Sequence, residues 1–449
     1  MKRKSIISLF SLVLSACMLT ISCDDMLTPD MDRYAQENKF GQDSIYSALG
    51  VLRSIQRVAE RTIILDASRS DMVTGSAYTT DSINDLMNFN NPENGSSALC
   101  NIADYYHIVN SCNFYLANVD TTVTENNKKI MHREWAQVQA MRAWAYIQLV
   151  RNYGEVPFVT TPVSSTSQAE EVSKKAGKVN ASNLASLLVE NGLGRAYELQ
   201  RTYGIPDYGS FNNGVSTYNS KLNFFPVEVV LGDAYLMSED YANAANYYYQ
   251  YFTYDCNYTP SFNNSDFKCG YTVDRMSGGR DEKKMVNSGN ISSSFGSNNT
   301  NDVVTMATSA STPAQGLTLT QIQNIYGWKT TISGKNIYAS PNSQYIQLQP
   351  SNQYLTTNTA QRYNTFKIEG DVVTMEGIEP GDGRFIASVP RYRLDGNAKS
   401  RLVSKYMSSS FSNATEESTI YTEQSNINYN IILYRLPVIV LRYAEAVNR

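Results

Sequence analysis

Residues 226–252, PVEVVLGDAYLMSEDYANAANYYYQYF, decide the fold class of this chain. Apolar and small side chains recur at three- and four-residue spacing on both sides of a polar break at 238–240. This pattern predicts two antiparallel helices joined by a short turn. Gly232 and Ala244 are small enough to let the two helices cross closely.

Five positions of this segment match the L-G-x2-Y…A-x3-F spacing of a tetratricopeptide helix pair, with Tyr in place of Phe. They are Leu231, Gly232, Tyr235, Ala244 and Tyr248. The two tyrosines are expected to fill the gaps beside the close crossing. Because one repeat cannot bury both of its faces alone, the helical stretches 98–119 and 133–153 are expected to be its degenerate neighbours.

Helical periodicity covers much of the remaining chain, in stretches 42–67, 98–119, 133–153 and 433–447. The 133–153 stretch is apolar over a broad face, which predicts burial between other helices. Gly154 and Pro157 mark its end. The sequence therefore predicts a mostly α protein with a tetratricopeptide-like helical scaffold.

Two stretches lack this periodicity. Residues 69–95 are rich in Ser, Thr, Asn and Asp, and predict a loop with at most short helices. From 256 to about 374 regular patterns disappear, and 287–301 is low in complexity. A long irregular segment inside a compact protein is usually functional surface or disorder.

The chain begins with features of an exported lipoprotein. A basic start, Met1-Lys2-Arg3-Lys4, precedes an uncharged apolar stretch at 6–21. At 16 residues it is shorter than the ~20 residues of a spanning helix. It therefore reads as a secretory signal at 1–22, followed by a tether at 23–40 and one domain over 41–449.

Two cysteines compete as the lipid acceptor of this leader. Leu14-Ser15-Ala16-Cys17 has the better lipobox form, but cleavage there would leave an apolar mature terminus. Cleavage before Cys23 leaves Asp24-Asp25, a polar tether. Cys23 is the preferred site, with Cys17 as the alternative, and a lipid-anchored chain of this kind would lie on a membrane without spanning it.

Charge, cysteine and histidine content exclude several classes of function. The formal net charge of −4 offers no basic field for nucleic acid. Cys100 and Cys112 are predicted to share one helix too far apart to pair, whereas a pairing of Cys256 with Cys269 stays open. Two isolated histidines do not form a zinc motif, and no nucleophile, P-loop or dinucleotide motif occurs. We expect no cofactor and no metal.

Five segments, in order along the chain, resemble the SusD/RagB family of nutrient-binding lipoproteins. They are 23–27 (CDDML), 139–157 (QAMRAWAYIQLVRNYGEVP), the 226–252 pair, Asp382-Gly383-Arg384 with Ser404-Lys405-Tyr406, and 434–448 (YRLPVIVLRYAEAVN). Gln139 and Val438 stand where the family usually has an acid, and Gly383 where it has Pro. Arg449 falls inside an apolar-periodic helix, so the chain is expected to be a fragment or a truncated product.

The resemblance implies an outer-membrane protein at the cell surface with an α-rich scaffold and a loop-rich, ligand-facing region. It implies capture of oligosaccharides or peptides without cleavage. The implied partner is a SusC-like TonB-dependent transporter. Two other classes stay open: a surface glycan hydrolase, because a carboxylate pair forms only in the fold, and a structural tetratricopeptide scaffold.

Six residues are the candidate ligand contacts. Trp328 and Tyr326 lie in an irregular stretch and are expected to form a stacking platform for sugar rings, although Trp328 could instead cap a small local core. The second group is Arg69, Asp71, Tyr78 and Asp85. The alternative for Arg69 and Asp71 is an ion pair that only fixes the loop.

Overall fold

The computed structural model describes most of the N-terminal half of the chain and separate stretches of the rest. The described residues are 44–89, 101–124, 129–212, 217–255, 302–306, 329–332, 335–338, 347–354, 362–369, 372–380, 391–394, 398–401 and 431–449. Within them the protein is mostly helical, as the sequence predicted. The leader, Cys17, Cys23 and Cys100 lie outside the described residues.

Helices occupy every stretch that the sequence predicted to be helical, whereas the three helices over 166–175, 184–188 and 194–203 were not predicted. The helices are α1 Ser44–Ser68, α2 Asp81–Met87, α3 Ile102–Asn118, α4 Ile130–Tyr153, α5 Thr166–Lys175, α6 Leu184–Leu188, α7 Gly194–Tyr203, α8 Val227–Met237, α9 Tyr241–Gln250 and α10 Leu436–Asn448. One expected boundary is wrong. The helix predicted from 433 begins at Leu436, because the preceding residues, Ile431–Arg435, form a strand.

The strands form two-stranded antiparallel ribbons in the described parts of the chain. The pairs are β1 Val73–Gly75 with β9 Leu348–Pro350, β2 Val156–Pro157 with β3 Lys178–Val179, β4 Ser210–Asn212 with β5 Thr217–Asn219, β6 Asp302–Met306 with β14 Ile431–Arg435, β7 Lys329–Ile332 with β8 Lys335–Tyr338, β10 Arg362–Glu369 with β11 Val372–Pro380, and β12 Arg391–Leu394 with β13 Ala398–Arg401.

The strands correct the expectation that 256–374 lacks regular structure. Ribbon β7–β8 lies within that segment, and ribbon β10–β11 begins within it and ends at Pro380. Strands β6 and β9 also lie within it and pair with strands far away in sequence. The register of β10 with β11 shifts between Thr365 and Phe366. Strands β6 and β9 are short and have distant partners, so they leave little periodic signal to read in one sequence.

Helix α4 is the centre of the core. Every residue from Met131 to Val150 except Arg133 and Trp135 is buried, and Trp144 packs against Phe225 with ring centroids 5.4 Å apart. Helices α3, α7 and α8 pack around it. The helix ends at Gly154, whose φ of 77° suits glycine and whose N–H donates to the carbonyl of Val150.

Helices α8 and α9 form the predicted close crossing. A Cβ on Gly232 would lie 2.6 Å from Cδ1 of the buried Tyr248, so the ring occupies the space that any other residue would need. Glu239 makes the turn between the helices with φ 61°. Ala244 is fully buried in the same layer. The tetratricopeptide-like spacing therefore reflects a real contact.

A buried carboxylate ties the end of the described chain to this pair. Asp233 on α8 accepts hydrogen bonds from the hydroxyls of Tyr248 (2.5 Å) and Tyr434 (2.6 Å). It also forms an ion pair with Arg442 of α10, with Nη1 2.6 Å from Oδ2. Burial would lower the pKa of Arg442, but the Asp233 carboxylate together with the hydroxyls of Tyr434 and Tyr248 outweighs burial and raises that pKa.

Candidate functional site

The ribbon of β1 and β9 brings the polar 69–89 segment against a stretch more than 250 residues away in sequence. Val73 lies opposite Pro350, and Gly75 opposite Leu348. Backbone bonds extend the pairing at both ends, from Ser76 N–H to the Gln347 carbonyl (3.0 Å) and from the Ser351 N–H to the Met72 carbonyl. We call the surface formed by 71–85 and 347–354 the β1–β9 face.

A network of short hydrogen bonds fixes the turn at one end of this face. The Thr79 hydroxyl donates to the Gln347 carbonyl (2.7 Å), and the Thr80 hydroxyl to Oε1 of Gln347 (2.8 Å). The Ser76 N–H donates to the Thr79 hydroxyl at 2.7 Å. A Cβ on Gly75 would lie 2.8 Å from the Thr79 hydroxyl, so any other residue there would displace this hydroxyl from its hydrogen bonds. The turn is therefore held in place without a ligand.

Tyr78 lies within this fixed turn. Its side chain is 50% exposed, and its N–H donates to the Ser76 hydroxyl at 3.1 Å. An exposed phenol ring on a preformed backbone offers a flat apolar face and a hydroxyl at low entropic cost. Tyr78 is therefore a half-exposed aromatic side chain on a turn that the fold itself holds in place.

Arg69 connects the 69–89 segment to the helical core. Its Nε donates to the Leu86 carbonyl (3.3 Å), and Nη1 donates to Oδ1 of Asn152 on α4 (2.7 Å). Its guanidinium carbon also lies 4.6 Å from the centroid of the Phe89 ring. Arg69 thus fixes the segment to the core, through these partners rather than through the Asp71 pair that the sequence suggested.

Asp71 precedes strand β1 in the chain, and Asp85 follows it. Asp71 is exposed, and its carbonyl accepts a hydrogen bond from the Ser351 hydroxyl. Asp85 is half-buried on α2, which is anchored through Ile83 and Leu86. Tyr78, Asp71 and Asp85 therefore belong to one segment that the β1–β9 ribbon and Arg69 hold, while their role as ligand contacts stays a prediction.

Trp328 and Tyr326 lie outside the described residues, so their predicted role as a platform also stays a prediction. Sequence reasoning did not find Phe89 or Gln347. Phe89 is 60% exposed with φ 54°, and Gln347 bonds to residues 267 or 268 positions away. Gln347 shows no local pattern because its partners are distant in sequence, and Phe89 is one exposed aromatic residue within the polar 69–95 segment.

The described residues contain no candidate metal site. Among them, no group of three or more His, Cys, Asp or Glu side chains is placed to hold a metal ion. None of the described helices is long and apolar enough to cross a lipid bilayer.

Comparison with known proteins places the fold. Neither a protein-family model nor a curated protein matches the sequence. A SusD superfamily protein from Bacteroides thetaiotaomicron matches with a TM-score of 0.55 and 12% identity, over 90% of this chain and 75% of its own. A SusD superfamily protein from Bacteroides vulgatus matches with a TM-score of 0.53 and 12% identity, over 92% of this chain and 75% of its own.

A third solved structure, also from Bacteroides vulgatus, is described as that of a candidate sugar-binding protein. It matches with a TM-score of 0.52 and 15% identity, over 90% of this chain and 73% of its own. Identities this low speak to architecture alone. The architecture agrees with the tetratricopeptide-like helix pair and the broad buried α4 described above. This chain has the fold of the SusD superfamily.

Proposed function

We propose that this protein is a cell-surface binding protein that captures oligosaccharides and passes them to a SusC-like TonB-dependent transporter. The observation that carries the proposal is a preformed polar face with the exposed Tyr78, built on a SusD-like scaffold. The sugar-binding description of one structural neighbour supports a glycan as the ligand.

The β1–β9 face has the chemistry that a glycan needs. The Tyr78 ring would stack on a sugar ring, while carboxylates and hydroxyls of the same segment, such as Asp71, Asp85 and Thr80, would accept from or donate to sugar hydroxyls. Each such contact is weak, and several contacts add up along a multi-unit ligand. Binding of modest affinity suits a protein that must also release its ligand to a transporter.

Location at the outer membrane is part of the same proposal. The leader at 1–22 and the Cys23-Asp24-Asp25 junction, with Cys17 as the alternative, support export and lipid anchoring. An anchored protein without transport machinery of its own depends on a partner to move its ligand across the membrane.

The test is binding and turnover in one experiment. The purified protein is titrated with a panel of neutral and acidic polysaccharides and with peptides, and each mixture is then examined for cleavage products. We expect reversible binding of at least one polysaccharide and no products above the blank. Products would establish the hydrolase alternative, and binding of peptides alone would replace the glycan. A transporter that co-purifies while nothing else binds would favour a protein scaffold.

A further inference from the structure

The β1–β9 face carries carboxylates without matching cations. Residues 69–89 contain three aspartates, Asp71, Asp81 and Asp85, and a single basic residue, Arg69. The facing stretch at 347–354, QLQPSNQY, contains no charged residue. Asp71 and Asp81 are exposed, and Asp85 is half-buried.

The one guanidinium of this segment is already used inside the fold. The Arg69 guanidinium donates hydrogen bonds to the Leu86 carbonyl and to Asn152, and it lies over the Phe89 ring. Within the described part of the chain, no Lys, Arg or His forms an ion pair with any of the three aspartates. The segment 69–89, which carries Tyr78, therefore has a net charge of −2 that no described cation neutralises.

We infer that this face selects uncharged oligosaccharides and repels those with uronate or sulfate groups. The inference rests on the proposed function, since it names the class of glycan for the same site. Neutral sugars bind well to surfaces with carboxylates, because sugar hydroxyls donate charge-assisted hydrogen bonds to the carboxylate oxygens. The uronate or sulfate group of an acidic sugar would instead lie beside these carboxylates, and repulsion between the like charges lowers the affinity for that sugar.

The experiment compares matched neutral and acidic glycans. Polygalacturonate is paired with its fully methyl-esterified, uncharged form, and β-1,4-linked polymannuronate with β-1,4-linked mannan, at low and at high salt. For the wild type we expect the acidic member to bind about tenfold more weakly at low salt, with the difference shrinking as salt screens the charges.

Variants assign the cause. Asp71→Asn with Asp85→Asn should raise the ratio of acidic to neutral affinity several-fold at low salt. The control, Glu170→Gln with Glu198→Gln, removes the same net charge from exposed positions on α5 and α7 and should leave the ratio unchanged. Thermal melts of each variant establish that it is folded.

Each outcome decides something. An acidic glycan that binds as well as its neutral partner, or a ratio that the aspartate variant does not change, overturns the inference while glycan capture stands. If no polysaccharide binds at all, the proposed function fails and the inference fails with it.

Discussion

Single contacts decide how closely the helices of this protein approach one another. Gly232 is the clearest case, because the Tyr248 ring occupies the space where its side chain would be. The sequence predicted this role, because a small residue at that position of a tetratricopeptide-like pattern lets the two helices pack closely. Arg142, by contrast, is a buried cation whose partners Asn113 and Asn191 lie 29 and 49 positions away, so no local pattern predicts them.

Gly232→Leu should lower the free energy of unfolding by about 1–3 kcal/mol or more, because overpacking forces the ring or the helix to move. Chemical denaturation measures the change. Ala242→Leu, at an exposed position of α9, is the matched control and should stay within about 0.5 kcal/mol of the wild type. Equal effects of the two substitutions would mean that the crossing is not close.

Gln139→Glu should raise the melting temperature. Arg142 is buried and donates to Oε1 of Gln139 (2.8 Å), to Oδ1 of Asn113 and to the Asn191 carbonyl. Burial lowers the pKa of Arg142, and no described carboxylate forms an ion pair with it.

An acid at position 139 converts a neutral hydrogen bond into a charge-assisted one, which we expect to add about 1 kcal/mol. Gln139→Met, which keeps the length of the side chain but removes the acceptor, should destabilise the protein. A lower melting temperature for Gln139→Glu than for the wild type would show that carboxylate desolvation outweighs the new ion pair.

At the scale of elements, strand β14 and helix α10 are held to the α8–α9 pair by the Asp233 cluster. The α10 pattern was readable from sequence, but its attachment was not, because Asp233 and Arg442 are 209 positions apart. The preceding strand was missed for the same reason, since β6 is its distant partner.

Asp233→Asn should loosen this attachment. It keeps the shape of the side chain but leaves the Arg442 charge without its counter-ion, at a cost of about 3 kcal/mol. Denaturant melts measure the loss. Adding Arg442→Met to Asp233→Asn should recover part of it, because the uncompensated charge is then gone. Simple additivity of the two substitutions would argue against coupling between them.

For the whole molecule, periodicity and the 226–252 spacing were enough to predict a mostly helical, tetratricopeptide-like scaffold, because both are local signals. The SusD-like architecture was expected only from the resemblance of five ordered segments to that family, and the structural comparison supports that fold. The β1–β9 face could be predicted only in part. The polar 69–95 segment stood out by composition, but its hydrogen bonds to Gln347 depend on a pairing that no local pattern encodes. Trp328 and Tyr326 stay predictions.

The position of the anchor is a separate prediction for the whole molecule. We expect mass spectrometry of the mature protein to show a lipidated Cys23 at its N-terminus, because cleavage there leaves a polar tether. Cys23→Ser should then release the protein from the membrane fraction, whereas Cys17→Ser should not. A lipid on Cys17, or an unmodified mature protein, would contradict the assignment.

Glycan capture at the β1–β9 face is tested most directly by titrating Tyr78→Ala with the polysaccharide that the wild type binds, beside a thermal melt. Tyr249→Ala is the matched control, since Tyr249 is 51% exposed and Tyr78 50%. We predict that Tyr78→Ala weakens binding about three- to tenfold, the value of one aromatic contact, at an unchanged melting temperature, and that Tyr249→Ala leaves binding intact. Unchanged binding by Tyr78→Ala would contradict the account.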